Sequence, residues 1–334
     1  MRMDEYEVIN NLKGGSLASV ELIKRDGKTF VRKEASAVKS KYAFQKLQEQ
    51  FTWIKNHQHL SPKIPTLTKS GFVGKDLFYY EMDYYESLGF FEFIHSRPIA
   101  ESKKILGNVL DFCFQELYKP IKQPSVDEKK KLAKRLVDEK LFTKLDEGLS
   151  LSKPLRDLQA FDKIYVNHEE YLNFWPAAEK LLQANFIDKI ADYTAFQIHG
   201  DTTVEDVLCT KDSFVLVDPN PENIVNCRLV DVTKMSQSLT WGFEFLNASN
   251  DCQILGNQII YNDNTSVQYA QLKGFFWEKV NSLLTDEEKT KVNLFDALNY
   301  SRLLPIRMRI NPKTGPIYYG VLVKILNKAL EELA

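Results

Sequence analysis

The sequence has no long apolar run and almost no net charge. No stretch approaches the roughly 18 apolar residues of a membrane-spanning helix, and the first residues, MRMDEYEVINN, lack the apolar core of a signal peptide. The 44 basic and 45 acidic residues leave a formal charge of -1, so no overall field draws the protein to nucleic acid or to an anionic membrane. We expect a cytoplasmic protein that has no membrane span and binds no nucleic acid.

Cysteines are few and widely separated. The 4 cysteines, Cys113, Cys209, Cys227 and Cys252, form none of the close pairs that zinc sites and redox motifs require. The sequence also contains no internal repeat and no low-complexity segment. We therefore expect reduced, mostly buried thiols in an ordinary globular protein, and the sequence indicates no particular oligomeric state.

The chain is long for one compact domain, because domains typically contain roughly 100 to 200 residues and this sequence contains 334. Its apolar fraction of 44% and charged fraction of 27% are typical of a folded protein with a substantial core. The pattern changes from strands to long helices near Tyr84–Leu88. The sequence thus predicts an N-terminal lobe over residues 1–85 and a helical C-terminal lobe over residues 86–334.

Short apolar runs dominate the N-terminal lobe. They predict strands at residues 6–12, 18–24, 29–35, 71–74 and 76–85. The Asp26-Gly27 pair is typical of a hairpin turn, in which the glycine takes a positive φ. A helix over residues 38–57 is predicted by apolar side chains at helical spacing, namely Phe44, Leu47, Phe51 and Ile54.

The C-terminal lobe has the spacing of amphipathic helices. They are predicted at about residues 100–118, 126–147, 167–192, 266–283 and 315–333. Brief strands are predicted at residues 196–199, 205–209 and 214–218. A small antiparallel sheet with one helix, followed by a mostly helical lobe, is an α+β architecture.

Two features of the N-terminal lobe suit nucleotide phosphates. The KGGS turn contains Gly14, Gly15 and Ser16, and glycines let backbone N–H groups approach phosphate oxygens, although such a turn is more often a simple hairpin. Lys33 lies on the third strand, where an inward ammonium would pair with phosphates. Glu49 on the following helix is the favoured carboxylate to hold Lys33, unless its side chain points into solvent.

Two carboxylates stand at the ends of neighbouring short strands. Asp201 belongs to IHGD, and Asp218 ends the apolar run SFVLVD. A short hairpin between them would bring both carboxylates into one small volume. In phosphoryl transfer one aspartate orients the substrate hydroxyl and another binds Mg²⁺ between the nucleotide phosphates. The alternative is that His199 is a core histidine and Asp201 a turn residue.

The motifs HGD and VDPNP resemble the catalytic core of the aminoglycoside phosphotransferase and choline kinase-like superfamily. The phrase LVDVTKMSQSL at residues 229–239 is similar to one in a bacterial branch often linked to capsule or other surface-polysaccharide genes. The resemblance spans both lobes, from Lys33 through a hinge at YYEMDYY to SRLLPIR at residues 301–307. It implies a bilobal protein-kinase-like fold. Asp231 in the phrase is either a helix N-terminal acid or part of the substrate side of the cleft.

The resemblance also implies roles for single residues. Asp201 would be the catalytic base, His199 would brace its loop, and Asp218 would be the principal Mg²⁺ ligand. The residues implied to bind the nucleotide are Gly14, Gly15, Ser16, Lys33 and Glu49 near the phosphates and Glu81 and Asp83 in the hinge, which faces the adenine through its backbone.

One position departs from the family pattern, which has an asparagine five residues after the catalytic aspartate. This sequence has Asp206 there. A carboxylate is a stronger ligand for a hard cation, so Asp206 is predicted to bind Mg²⁺ together with Asp218. An extra carboxylate also adds repulsion within the site, as in relatives that have lost activity.

The sequence therefore supports one function and leaves a second one open. The first is a kinase that uses ATP, or another NTP, and Mg²⁺ to phosphorylate a hydroxyl of a small molecule or sugar-containing metabolite. The branch resemblance implies a role in surface-polysaccharide metabolism. The second is a nucleotide-binding pseudokinase that acts as a scaffold or regulator, which the aspartate at position 206 would suit.

Overall fold

The computed structural model describes residues 6–12 and 18–333 of the chain. The predicted glycine turn, with Gly14, Gly15 and Ser16, lies outside the described residues. The described residues divide into two compact units. The first contains the chain up to Ser96 together with His199–Asn223, and the second contains Arg97–Ile198 and the chain from Ile224 onward.

Strands and helices are both numbered in chain order. The strands are β1 (Glu7–Asn11), β2 (Ser19–Arg25), β3 (Lys28–Ser36), β4 (Leu67–Val73), β5 (Leu77–Asp83), β6 (Leu88–Gly89), β7 (Lys163–Val166), β8 (Glu169–Leu172), β9 (Val207–Cys209), β10 (Phe214–Leu216), β11 (Cys252–Leu255) and β12 (Gln258–Tyr261). The helices are α1 (Lys41–Asn56), α2 (Phe90–Ser96), α3 (Ile99–Phe112), α4 (Val126–Val137), α5 (Thr143–Ser150), α6 (Lys153–Leu158), α7 (Phe174–Gln183), α8 (Phe186–Ala191), α9 (Arg228–Leu239), α10 (Phe243–Ala248), α11 (Val267–Leu283), α12 (Asp286–Lys289), α13 (Val292–Ile310) and α14 (Pro316–Leu333).

The first unit is built on an antiparallel sheet in the order β1-β2-β3-β5-β4. Its strands confirm the predicted strand-rich N-terminal region. Asp26 and Gly27 both have positive φ, at 50° and 77°, which is the backbone that a tight hairpin turn requires. In this strand order β3, which carries Lys33, is the central strand of the sheet.

Helix α1 packs against β3 and β5. Ser40 begins it by accepting a hydrogen bond from the backbone N–H of Ala43 at 3.2 Å. The predicted apolar stripe is confirmed: Leu47 and Ile54 are buried, and the Phe51 ring contacts the Phe78 ring with centroids 5.5 Å apart. The helix thus covers one face of the sheet.

The first unit also contains a small sheet in the order β10-β9-β6. The strands β9 and β10 form an antiparallel hairpin in which Val207 pairs with Leu216. Leu216 is tied to the earlier part of the unit because its N–H donates to the carbonyl of Lys63 at 2.9 Å. This hairpin positions the acidic residues of the candidate site.

The second unit is mostly helical, with a sheet in the order β11-β12-β7-β8. The helix predicted over residues 167–192 is wrong at its start, since Asn167 and His168 have positive φ and form a turn between β7 and β8. Asn185, with φ of 58°, separates α7 from α8. The strand predicted at residues 196–199 is also wrong, because Phe196 forms an isolated bridge to Pro120.

Two further observations complete the fold. The described residues contain no helix that is long and apolar enough to cross a membrane. The cysteines are free thiols, as predicted, with Cys113, Cys209 and Cys227 buried and Cys252 partly exposed. The architecture is α+β, with an antiparallel sheet in the first unit and mostly helices in the second.

Candidate active site

The hairpin of β9 and β10 brings the backbones of two predicted metal ligands together. Asp206 directly precedes β9, and Asp218 follows two residues after β10. The N–H of Val217, the residue before Asp218, donates to the carbonyl of Asp206 at 2.9 Å. Because the hairpin is closed at this point, the two aspartates sit at the same end of it.

The HGD loop is fixed to the segment that follows Asp218. The N–H of Asn220 donates to the carbonyl of His199 at 2.8 Å, and the side-chain amide of Asn223 donates to the carbonyl of Asn220 at 2.6 Å. Gly200 has a φ of 84°, and a Cβ there would collide with the Asn220 carbonyl and the Asn223 amide. The glycine of HGD is therefore required both by its backbone and by its neighbours.

His199 is completely buried in the first unit. Its ring lies edge-on to Trp53 of α1, with centroids 5.6 Å apart and an interplanar angle of 84°. Burial lowers the pKa of His199 to about 4. The negative charge of Asp201 and hydrogen bonds to the backbone of Val217 and Asp201 oppose this decrease. The imidazole is neutral near pH 7 and links the HGD loop to the strand that leads to Asp218.

Lys33 meets the acidic end of the hairpin. It is only 4% exposed, and its ammonium forms an ion pair with the carboxylate of Asp218. Burial lowers the pKa of Lys33 to about 8, while the negative charge of Asp206 opposes the decrease. Lys33, Asp206 and Asp218 therefore come together within the first unit, although they are far apart in the sequence.

Asp206 is held by its own loop. The hydroxyl of Thr203 donates to a carboxylate oxygen of Asp206 at 2.5 Å, and the N–H of Asp206 donates to the carbonyl of Thr203 at 3.2 Å. The N–H of Thr203 in turn donates to the carbonyl of Asp201 at 2.9 Å. These bonds make residues 201–206 one compact turn, which keeps the backbones of Asp201 and Asp206 close together.

Asp218 has an unusual backbone. Its φ is 58°, in the left-handed region, and it precedes Pro219. Residues other than glycine rarely adopt this region, and a following proline restricts the preceding residue further. Such a conformation costs on the order of 1 to 3 kcal/mol and is concentrated at functional sites. The side chain of the same residue forms the ion pair with Lys33.

The predicted partner of Lys33 on α1 lies elsewhere. Glu49 is exposed and shares a hydrogen bond with the carboxyl of Glu222, and burial together with the Glu222 charge raises its pKa. The buried polar residue of α1 is the next one, Gln50, whose amide donates to the carbonyl of Pro219 at 3.0 Å. Gln50 contacts the segment after Asp218 and was not singled out from the sequence.

The hinge residues have different environments. The Glu81 carboxylate is fully buried and accepts hydrogen bonds from Arg25 at 2.6 Å and from Arg32 at 2.9 Å. These ion pairs join β5 to β2 and β3 within the sheet. The Asp83 N–H donates to the carbonyl of Thr66 at 3.0 Å. Since Arg32 and Lys33 are consecutive residues of β3, their side chains point to opposite faces of the sheet. The Glu81 side chain is therefore not on the Lys33 face.

The donor set suits Mg²⁺ bound together with phosphates. No group of three or more histidine, cysteine, aspartate or glutamate side chains that could hold a metal occurs among residues 6–12 and 18–333. Mg²⁺ commonly takes only one or two protein carboxylates and completes its shell with phosphate oxygens and water. Asp206 and Asp218, both acting on one ammonium, provide that number of hard oxygen ligands.

Asp231 lies in the second unit, in the first turn of α9, and is 1% exposed. Its carboxylate forms a hydrogen bond with the hydroxyl of Tyr118, which is also buried. The position agrees with a helix N-terminal acid, one of the two interpretations of this residue. Its contact with Tyr118 shows that Asp231 takes part in the packing of the second unit.

Comparison with known proteins identifies the fold. No family model matches the sequence, and no curated protein matches it. A Haemophilus somnus protein assigned as a fructosamine-3-kinase is similar in structure, with a TM-score of 0.52 and 12% identity over 97% of this chain and 90% of that chain. The aminoglycoside phosphotransferase APH(4)-Ia, as a thermostable mutant, gives a TM-score of 0.51 and 13% identity over 97% of this chain and 95% of that chain.

The same enzyme in a ternary complex with ADP and hygromycin B gives a TM-score of 0.51 and 12% identity over 96% of this chain and 94% of that chain. These likenesses confirm the predicted fold class, a protein-kinase-like fold of the kind found in aminoglycoside phosphotransferases. At such low identities they establish the fold alone.

Proposed function

We propose that the protein is an ATP- and Mg²⁺-dependent phosphotransferase whose acceptor is a hydroxyl group of a small molecule. One observation carries the proposal. Lys33, Asp206 and Asp218 meet at the end of a hairpin, to which the HGD loop is fixed through the hydrogen bond from Asn220 to His199. A cation for phosphates, two carboxylates for Mg²⁺ and an adjacent aspartate are the groups that phosphoryl transfer requires.

Each residue then has a defined task. Lys33 holds the nucleotide phosphates, and its pKa of about 8 leaves it charged near neutral pH. Asp206 and Asp218 hold Mg²⁺, which supplies neutralisation of the charge on the phosphates. Asp201 accepts the proton of the attacking hydroxyl, while His199 braces its loop. Glu49, which is exposed and bonded to Glu222, does not hold Lys33, and the hinge at residues 81–84 faces the adenine through its backbone.

The relatives in structure suggest the substrate class. One is assigned as a fructosamine-3-kinase, and the other is an aminoglycoside phosphotransferase. We therefore infer a hydroxyl of a sugar-containing metabolite as the acceptor, in the cytoplasm, with a role in surface-polysaccharide metabolism as the narrower proposal from the phrase at residues 229–239. ATP, rather than another NTP, is the donor to test first.

The proposal is tested by ATP turnover with a panel of sugars and amino alcohols, for the wild type and for Asp201→Asn. A general base typically contributes about 100- to 10,000-fold, so the variant should lose at least about 100-fold in kcat. Asp212→Asn is the matched control, because Asp212 is exposed in the turn of the same hairpin. An active wild type with an equally active Asp201→Asn would show that the base is assigned wrongly.

The second candidate is a pseudokinase, favoured by the carboxylate at position 206. Ligand-induced thermal stabilisation separates it from the kinase, because a ligand selective for the native state stabilises it by RT ln(1 + [L]/Kd). Stabilisation by ATP and Mg²⁺ without turnover of any acceptor would favour the pseudokinase. If turnover then appeared in Asp206→Asn, the carboxylate itself would be the cause of inactivity. No stabilisation by any nucleotide would contradict both functions.

A further inference from the structure

The face of α1 that points toward the candidate site carries a second lysine. Gln50 marks this face, because it is buried and its amide donates to the carbonyl of Pro219 at 3.0 Å. Lys46 lies one turn before Gln50, and Ala43, also buried, lies three residues before Lys46. Positions three and four apart share one side of a helix, so Lys46 is on the side that packs against β3 and the Asp218 segment.

Lys46 is half-buried in this position, whereas Lys55 of the same helix is exposed. Within the described ranges, Lys46 takes part in no ion pair, while Lys33 already has the carboxylate of Asp218. Trp53, two turns after Lys46, is buried on the same side of α1, and its ring lies edge-on to the ring of His199 in the HGD loop, so this side of the helix faces the candidate site. A half-buried cation that has no carboxylate partner among the described residues, on the side of α1 that faces the candidate site, favours an anionic ligand such as the nucleotide phosphates.

We propose that Lys46 contacts the phosphates of the bound nucleotide, so that a lysine pair from β3 and α1 replaces the lysine and glutamate pair predicted from the sequence. The inference rests on the proposed function and defines its phosphate site. A lysine is a flexible point charge that suits terminal phosphates. Lys46 is therefore a residue that selects nucleotides by their number of phosphates, and it takes no part in proton transfer.

The test is equilibrium binding of ATP, ADP and adenosine, each with Mg²⁺, to the wild type, Lys46→Met, Lys46→Arg and Lys55→Met. A lost charge-assisted hydrogen bond weakens binding by about 10- to 100-fold. We expect Lys46→Met to raise the Kd for ATP by that factor, to raise the Kd for ADP less and to leave adenosine unchanged. Lys46→Arg should restore ATP binding, and Lys55→Met should match the wild type.

Two results would overturn the inference while leaving the proposed function intact. One is an unchanged Kd for ATP in Lys46→Met, and the other is an equal loss for ATP and adenosine, which indicates a purely structural role. Thermal unfolding without ligand identifies a variant that fails to fold. If Lys46→Met fails to fold, the ATP affinity of Lys46→Arg is the test, and a Kd equal to that of the wild type is expected. If the wild type binds no ATP, the proposed function itself fails and this inference fails with it.

Discussion

Lys33 and Asp218 form an ion pair whose two members are unequally exposed. The Lys33 side chain is 5% exposed, whereas the Asp218 side chain is 35% exposed. Removal of either partner leaves the other charge behind, and the cost depends on how well water can reach that charge. Loss of Asp218 should therefore destabilise the first unit more than loss of Lys33.

We expect Asp218→Ala to reduce the free energy of unfolding by about 3 kcal/mol, because it leaves the buried ammonium of Lys33 without its partner. Lys33→Met should cost less than about 1.5 kcal/mol, since an apolar chain of similar length replaces it and Asp218 remains partly solvated. Urea unfolding of both variants at pH 7 measures the difference. Equal losses would contradict the asymmetry.

Gly200→Ala is expected to destabilise the protein by about 3 kcal/mol or more, because it combines the strain of a positive φ with a collision at the Asn220 carbonyl. Gly74→Ala separates the two effects. Gly74 has a φ of 65°, but a Cβ there meets no atom within 4 Å. Strain alone should cost it about 1 kcal/mol, as measured by chemical unfolding. A similar loss of unfolding free energy in both variants would show that the collision at Asn220 does not contribute.

The Glu49 and Glu222 pair is expected to make stability depend on pH. Burial and the Glu222 charge raise the pKa of Glu49 in the folded state, so its contribution is present at low pH and is lost as the pH rises through that pKa. Glu49→Gln keeps a hydrogen-bond donor and removes the repulsion. The melting temperature of the variant minus that of the wild type should therefore become more positive as the pH is raised from 4 to 8. Glu92→Gln, on the exposed face of α2, should show no such trend.

Asp296 provides a pH effect in the second unit. One of its oxygens accepts from Trp241 at 2.8 Å and from Ser236 at 3.0 Å, and the other, within the described chain, has no hydrogen-bond partner. Burial raises its pKa to about 7, although the Lys328 charge opposes the increase.

Its stabilising contribution is therefore complete below about pH 4 and lost as the pH rises to about 7, with a slope of up to about 1.4 kcal/mol per pH unit. Asp296→Asn should remove this slope from unfolding curves measured between pH 4 and 8. The control Asp251→Asn, at an exposed position, should keep it. A slope that persists in Asp296→Asn would assign it to another group.

The sequence was informative wherever a local rule decides the structure. The Asp26-Gly27 turn and the antiparallel sheet follow from alternation and turn chemistry, which act over a few residues. A hairpin was predicted between Asp201 and Asp218 and is present, and because two strands joined by a short turn must have their outer ends adjacent, it brings the backbones of Asp206 and Asp218 together. These features needed no knowledge of distant packing.

Other features depend on contacts that a sequence does not contain. Glu49 was predicted as the partner of Lys33, although its helix face lies opposite the main apolar stripe, but the burial of Leu47, Gln50 and Ile54 sets the rotation of α1 and turns Glu49 outward. Helix α9 was not predicted from the sequence, for a related reason. It is buried on nearly all sides, including its polar residues, so it lacks the amphipathic period by which a surface helix is recognised.

The division of the first unit between two distant segments has a consequence for protein synthesis. His199–Asn223 supplies the hairpin that this unit needs, but it leaves the ribosome only after the whole of Arg97–Ile198 has been translated. At about 5 to 20 residues per second, residue 223 is reached only about 11 to 45 seconds after initiation, and the first unit cannot be completed before then. A fragment that ends at Ser96 would lack the strand that bonds to Lys63 and the loop that covers Gln50, and would expose that surface to aggregation.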